Sequence, residues 1–407
     1  MRPAAPAPAP LSLKQVLVCG AAVVTLSMGI RHGLGLWLLP VTMERGWSRE
    51  VFGLAIAVQN LSWGVAGLFA GMVADRLGAF RVLVAGAVLY GAGLAAMALA
   101  ATPLAFALTA GVMIGIAQAG TTYAVIFGVV GRNVPAERRS WALGLTAAAG
   151  SFGQFLMVPV ENGLIAGMGW QGALYVLGAA TLLIVPLAYG LREPGLAGGW
   201  SRPQQSIGAA LSEAFGYRSF QWLMAGYFVC GFQVVFIGIH LPSYLKDQGM
   251  SPGVATTALA LIGLFNVLGT YGAGALGQRL PKRYILSAIY ALRALAIVAF
   301  LWLPLTPWSV YVFSAFMGLL WLSTVPVTSA VVAQIFGVHY LSMLGGFVFL
   351  SHQVGSFLGV WLGGKLFDAT GSYDVVWWIA VGLGVFAALV NLPIREQAIA
   401  RPALAAA

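Results

Sequence analysis

Two arginines, Arg31 and Arg293, stand deep inside long apolar runs, while ten of the eleven Asp and Glu lie in polar segments or at the edges of such runs. The eleventh, Glu161, sits within an apolar run but near its end. A guanidinium keeps its charge at any physiological pH and presents five N–H donors in a planar fork that matches a carboxylate. Held in hydrocarbon it costs about 2.5–3.5 kcal/mol on the insertion scale, so an uncompensated one is expected only where it has a use. The chemistry implied is capture of an anion. The competing readings are structural, with Arg31 bonded to Glu161 or to helix carbonyls and Arg293 satisfying carbonyls and polar groups between helices.

Neutral polar groups recur in other apolar runs: Gln59 and Asn60, Gln118 and Tyr123, Gln154, Gln233, Asn266, and His352 beside Gln353. Amides and a phenol orient a carboxylate without changing the net charge, although each alone serves equally well as an interhelical hydrogen bond. Imidazole ordinarily titrates near neutral pH, which makes His352 the candidate for linking a proton to the anion, against a neutral hydrogen-bonded role. His32 adjoins Arg31 but points about 100° away around a helix. His339 falls in a polar connection, and His240, just before Pro242, reads as a gate or interface residue. The expected substrate contacts are Arg31, Asn60, Gln118, Tyr123, Gln154, Asn266, His352 and Gln353, with Gln59, Gln233, His240 and Arg293 as secondary candidates. Ser27, Met28, Arg31, Gly35 and Leu38 share one face of a continuous helix, which leaves room beside the guanidinium.

Other chemistries lack their residues. No phosphate-binding loop, haem or zinc spacing, or nucleophile–base motif occurs, so neither a cofactor nor a metal is expected, nor ATP-driven pumping by this chain alone. Cys19 and Cys230 lie in separate apolar runs, which argues against a disulfide framework or a paired-cysteine metal site.

The elements that hold these residues are set by composition. Of 407 residues, 60% are apolar and 8% charged, and the mean hydropathy is +0.90. A soluble domain carries roughly 25% charged residues, so this is an integral membrane chain with nothing left for a soluble catalytic domain. Twelve spans are predicted, at 16–40, 50–73, 81–101, 104–130, 141–164, 171–190, 220–243, 252–277, 284–304, 307–334, 342–364 and 374–392. The runs are too long and continuous for the alternating strands of a membrane barrel. The expected fold is all-α, with a disordered tail over 1–15, six-helix halves over 16–190 and 220–392, a polar linker over 191–219, and a second tail over 393–407.

Of the 21 Lys and Arg, Arg45, Arg49, Lys246 and Lys365 fall on one side of the membrane, Arg31 and Arg293 fall within spans, and the other fifteen fall on the side of the termini. This asymmetry predicts cytoplasmic termini in an inner or plasma membrane. It also accounts for the net charge of +10 without a nucleic-acid partner.

The halves echo each other. Gly46-Trp47-Ser48 and Val51 recur as Gly249-Met250-Ser251 and Val254, and Gly71 recurs as Gly274, all 203 residues on. Gly144, Gly153, Phe155 and Gly169 recur as Gly346, Gly355, Phe357 and Gly371, 202 residues on. A parallel duplication of six spans is a transporter architecture.

The loop Gly71-Met72-Val73-Ala74-Asp75-Arg76-Leu77-Gly78-Ala79-Phe80-Arg81 resembles the G-x-x-x-D-R-x-G-x-x-R/K motif of the major facilitator superfamily. In that family the loop latches the outward-open state, which implies the role for Gly71, Asp75, Arg76, Gly78 and Arg81. The equivalent loop, Gly274 to Arg283, keeps basic residues but has Gln278 in place of the acid, so the latch is one-sided. The stretch Ala147 to Pro159, followed by Gly169-Trp170, is similar to the monocarboxylate porter branch, which includes oxalate/formate-type exchangers. Animal members carry an Asp and an Arg four residues apart in span eight, where this chain has Asn266 and Thr270.

The resemblance implies a secondary transporter working by alternating access, not an enzyme. The residues point to a small organic anion, foremost a monocarboxylate, moved in symport or exchange and with protons as a second partner. The bilayer is the remaining partner, and a monomer is expected. A proton-linked exporter of drugs or apolar compounds is the alternative, favoured by the 12% aromatic content. A transporter-like sensor is a more distant one.

Overall fold

The computed structural model describes residues 11–192, 207–337 and 341–399, and at a few positions, Asp75 among them, the backbone alone. His339 and most of both tails lie outside the described residues. Backbone polar groups in lipid have no water to bond, so long apolar runs close their hydrogen bonds internally as helices. The spans are α1 (Leu13–Arg45), α2 (Arg49–Ala74), α3 (Ala79–Leu99), α4 (Pro103–Val130), α5 and α6 within Ala142–Tyr189, α7 (Arg218–Asp247), α8 (Pro252–Leu276), α9 (Lys282–Trp302), α10 (Pro307–Phe336), α11 (Met343–Thr370) and α12 (Asp374–Asn391). α5 (142–168) and α6 (170–189) follow one another without a loop, because Gly169 turns the chain alone at φ +74° and ψ 168°. That conformation costs a residue with a side chain about 1–3 kcal/mol. With twelve spans both chain ends emerge on one face, the terminal face; the opposite one is the far face.

The duplication holds in three dimensions. Gly46 and Gly249 take φ of +67° and +78° before the serines that begin α2 and α8, and Gly371 takes +71° where its counterpart Gly169 takes +74°. Thr102-Pro103 and Thr306-Pro307 open α4 and α10, each threonine hydroxyl accepting a first-turn N–H. Gly115 of α4 rests on the Gln59 carbonyl of α2 as Gly318 of α10 rests on the Ile262 carbonyl of α8. Gly153 of α5 abuts the Thr25 carbonyl of α1, and Gly355 of α11 abuts the Phe228 carbonyl of α7. Small residues let these backbones touch, the means by which helices pack in lipid.

Several spans are broken. α1 is α-helical to His32, tightens to a 3₁₀ turn over Leu34–Trp37, and resumes at Leu38. The five residues Ser27 to Leu38 therefore do not lie on one regular helix face. α4 breaks at Thr122, and α10 between Leu320 and Thr324. The connection read as a polar linker contains a docked helix, Ile207–Gly216, whose Phe215 meets Phe220 and Phe347 at 5.6 and 5.4 Å between ring centroids.

Toward the far face the halves share one apolar core, and nearer the terminal face α11 still meets α2, with Gly346 beside Leu68. At the far end one apolar core mixes Ile30, Leu34, Trp37 and Phe52 with Val235, Ile239 and Val360 of the second half. At the terminal end the first half packs among its own residues, with Phe349 of α11 at the edge.

Candidate functional site at the interface of the halves

Arg31 sits at the last α-helical turn of α1 before the break, 7% exposed. Its Nη2 donates to Asn60 Oδ1 of α2 at 2.5 Å, and Asn60 is oriented by its own Nδ2 bond to the Ile56 carbonyl at 2.7 Å. The guanidinium lies 4.7 Å from the centre of the Trp63 ring, a cation–π contact one turn further along α2. Among the described residues no carboxylate comes within ion-pair distance of Arg31, so the bond to Glu161 that the sequence left open is not made.

The second half supplies the facing wall from α11. Phe349 packs edge-on against Trp63 at 5.1 Å and stacks on His352 at 6.0 Å between centroids. The other side of His352 meets Tyr227 of α7 at 5.0 Å. His352 Nδ1 lies 3.2 Å from Gln353 Oε1 and 3.3 Å from Ser356 Oγ, and Gln353 packs on Gly64 of α2. Arg31, Asn60, Trp63, His352 and Gln353, with the partly buried Phe349, thus form one cluster across the two halves, and the Nε2 of Gln353 lacks a partner among the described residues.

The other predicted residues form separate groups. Gln118 donates to Tyr90 at 3.4 Å, and Ser27, one turn before Arg31, shares a hydrogen bond with Thr121 at 2.9 Å, so this group backs Arg31 from within the first half. Tyr123 lies against Gly150 and donates to the Ala147 carbonyl at 3.4 Å. Gln154 and Asn266 meet at the α5–α8 seam, bonded to the Leu259 carbonyl at 3.1 Å and to Ser151 at 2.9 Å. Thr270 donates to Asn266 at 3.0 Å, so these two positions of α8 bond to each other.

Gln59 and Gln233 are turned into their own halves, toward the carbonyls of Ala110 and Ala380. Arg293 is fully buried, and its guanidinium donates to the carbonyls of Leu320 and Trp321 that the break in α10 frees, and to Gln233. Its shortest bonds go to the helix break, and Nη2 also reaches Cys230 Sγ of α7 at 3.6 Å, so the guanidinium is occupied within the second half.

Sequence reasoning missed a network at the far face. Both arms of Arg49 reach Asp247 at 2.6 and 2.7 Å, and one also donates to Tyr373 at 2.9 Å. The backbone N–H groups of Arg49 and Glu50 donate to Asp368 at 3.1 and 2.6 Å. Tyr373 lies 3.1 Å from His240 Nδ1, and His240 Nε2 lies 2.8 Å from the Val360 carbonyl, which fixes the imidazole as an Nε2–H donor and Nδ1 acceptor. Burial pushes the Tyr373 hydroxyl above its ordinary range, further than Arg49 draws it down, so it stays a neutral link. This chain ties α2 to α7, α11 and the start of α12. At the terminal face, Gly78 turns the α2–α3 loop at φ +88° and Arg76 and Arg81 are exposed, while the side chain of Asp75 lies outside the described residues.

Glu161 of α5 is the second residue the sequence undervalued. It is fully buried, neither carboxyl oxygen has a partner among the described residues, and the carboxyl presses on the backbone of Gly33, where α1 breaks.

Among the described residues, twelve membrane-spanning helices in two pseudo-symmetric halves with a buried cation between them give the architecture of a membrane transporter. The chain belongs to the Major Facilitator Superfamily, whose profile matches residues 17–327. It is similar to the MFS-type transporter YcxA of Bacillus subtilis, at 24% identity over 89% of this chain and 90% of that one. It is likewise similar to monocarboxylate transporter 11 of Mus musculus, at 29% identity over 88% of this chain and 82% of that one. Among solved structures, a D-xylose-proton symporter superposes with a TM-score of 0.72 at 16% identity, over 95% of this chain and 100% of that one. The inward-facing, unoccupied form of a bacterial homolog to the human lysosomal transporter Spinster superposes with a TM-score of 0.72 at 17% identity, covering 94% and 98%.

Proposed function

We propose that the protein moves a small organic anion, foremost a monocarboxylate, by alternating access between the halves 16–190 and 220–392. The observation that carries this reading is Arg31: a buried guanidinium on the interface, oriented by Asn60 and Trp63, with no carboxylate paired to it among the described residues. Such a cation is stabilised by an incoming carboxylate through charge-assisted hydrogen bonds. On α11, Gln353 packs on Gly64 of α2, one turn beyond Asn60, and His352 adjoins it; in this reading they orient the anion and link a proton to it. Trp63, Phe349 and Tyr227 put aromatic rings along this cluster, which suit an apolar tail behind the carboxylate. The likeness to monocarboxylate transporter 11 supports the same cargo class.

In this reading the basic terminal face is cytoplasmic in an inner or plasma membrane. The far face is then external and closed by the Arg49 network. Uptake of radiolabelled lactate and benzoate into liposomes holding the purified protein, with and without a pH gradient, tests it. Wild type accumulates label, Arg31→Gln does not, and His352→Gln loses the response to the gradient. Flux of cationic or uncharged apolar compounds with none of carboxylates returns the exporter reading in its place.

A further inference from the structure

The Glu161 carboxyl is the one buried acid in the described structure whose two oxygens both lack a partner. An ionised carboxylate without a counter-charge or donor is costly to bury, and a neutral one is far less so. The charged and titratable groups on the helices around it are occupied elsewhere. On α1, Arg31 donates to Asn60, His32 bonds the Met28 carbonyl at 2.7 Å, and Glu44 accepts from Trp170 at 2.7 Å with Arg45 over the same ring. On α3, Tyr90 bonds Ser27 and Gln118. On α4, Tyr123 bonds Ala147, and α8 offers the exposed Tyr271. Lys14, Cys19, Arg81, Arg132 and Arg138 stand toward the terminal ends of these helices.

The position is mechanically placed. Glu161 rests on Gly33, and the segment just beyond that break packs on the second half, with Gly35 against the Gly238 carbonyl of α7. Parting the halves at the far face lifts this segment off α7, and in the proposal that follows this is the step that admits water to the carboxyl.

We propose that Glu161 is a proton-binding site of the transport cycle. The carboxylate takes a proton from hydronium when the far face is open, leaving water, holds it in the closed state described here, and returns it to water at a later step. The inference goes beyond the anion reading and stands whatever the cargo is, because its test reads the proton directly.

The test is infrared spectroscopy of the full-length protein in lipid nanodiscs, in H₂O and D₂O, from neutral to alkaline pH. Wild type shows the carbonyl stretch of a protonated buried carboxyl, Glu161→Gln lacks it, and Glu161→Asp shifts it. Gly33→Ala also loses or shifts the band, since a methyl there occupies the place of the carboxyl. Asp247→Asn, which frees the far face, loses the band at an alkaline pH at which wild type keeps it. A wild-type spectrum without the band, or a band that Glu161→Gln retains, overturns the site. A band equally persistent in wild type and Asp247→Asn overturns its tie to the cycle. Failure of carboxylate uptake leaves these readings intact, so the two proposals fail separately.

Discussion

Arg49 at the start of α2 and Asp247 at the end of α7 form a two-armed ion pair that bridges the halves at the far face, with 12% and 31% of the side chains exposed. The same guanidinium stacks 3.7 Å over the Phe367 ring of α11, and its backbone N–H bonds Asp368. One residue of the first half thus holds two spans of the second. In a rocking mechanism such a point sets how readily this face opens.

Asp247→Asn removes the charge but keeps the shape. A part-exposed pair contributes about 1 kcal/mol, which is about a fivefold change in population. A cysteine placed at Leu39, which lines the same outer cleft, is therefore expected to react with a maleimide about fivefold faster in the Asp247→Asn background. An unchanged rate removes the pair from control of the far face.

The glycine contacts between helices predict an asymmetry in alanine substitutions. Gly355→Ala drives a methyl into the Phe228 backbone carbonyl, which no rotamer change relieves. Overpacking of this kind costs about 1–3 kcal/mol. Gly144→Ala meets nothing within 4 Å and is expected to gain up to about 1 kcal/mol from helix propensity. Thermal unfolding in detergent reads both, with Tm falling for the first and steady or raised for the second.

Arg293→Gln is expected to lower stability without weakening carboxylate binding by the protein that remains folded. Its guanidinium bonds the carbonyls at the break in α10, and a buried carbonyl left without a donor costs about 1–3 kcal/mol. Titration with benzoate, normalised to folded protein, separates this outcome from a direct role in binding.

Much of the architecture is legible in the sequence, because the bilayer makes hydropathy almost sufficient and the duplication is carried by glycines where backbones touch. Arg31, Asn60, His352 and Gln353 were legible as polar residues out of place in apolar runs. The breaks at Gly33 and 321–323 carry only a loose signal, Pro40 and Pro326 just beyond them, and the one at Thr122 carries no proline; the contacts that support them come from other helices. The sequence places Glu161 near a span end, whereas its burial depends on the break in α1 beside it. The Arg49 network joins residues 198 to 324 positions apart through surface-type side chains, a pairing that local patterns do not encode. Tyr90 and Trp63, which prop and cover Arg31, read as ordinary core aromatics until their partners are seen.

Thermal stabilisation of the purified protein by small carboxylates, set against their amides and against cationic drugs, tests the anion site most directly. Benzoate and lactate are expected to raise the Tm of wild type, benzamide and lactamide are not, and Arg31→Gln is expected to abolish the effect. Charge-assisted bonds contribute about 1.5–3 kcal/mol, so affinity should fall at least tenfold. Stabilisation by cations alone, or carboxylate binding undiminished in Arg31→Gln, would contradict the assignment of Arg31 as the anion receptor.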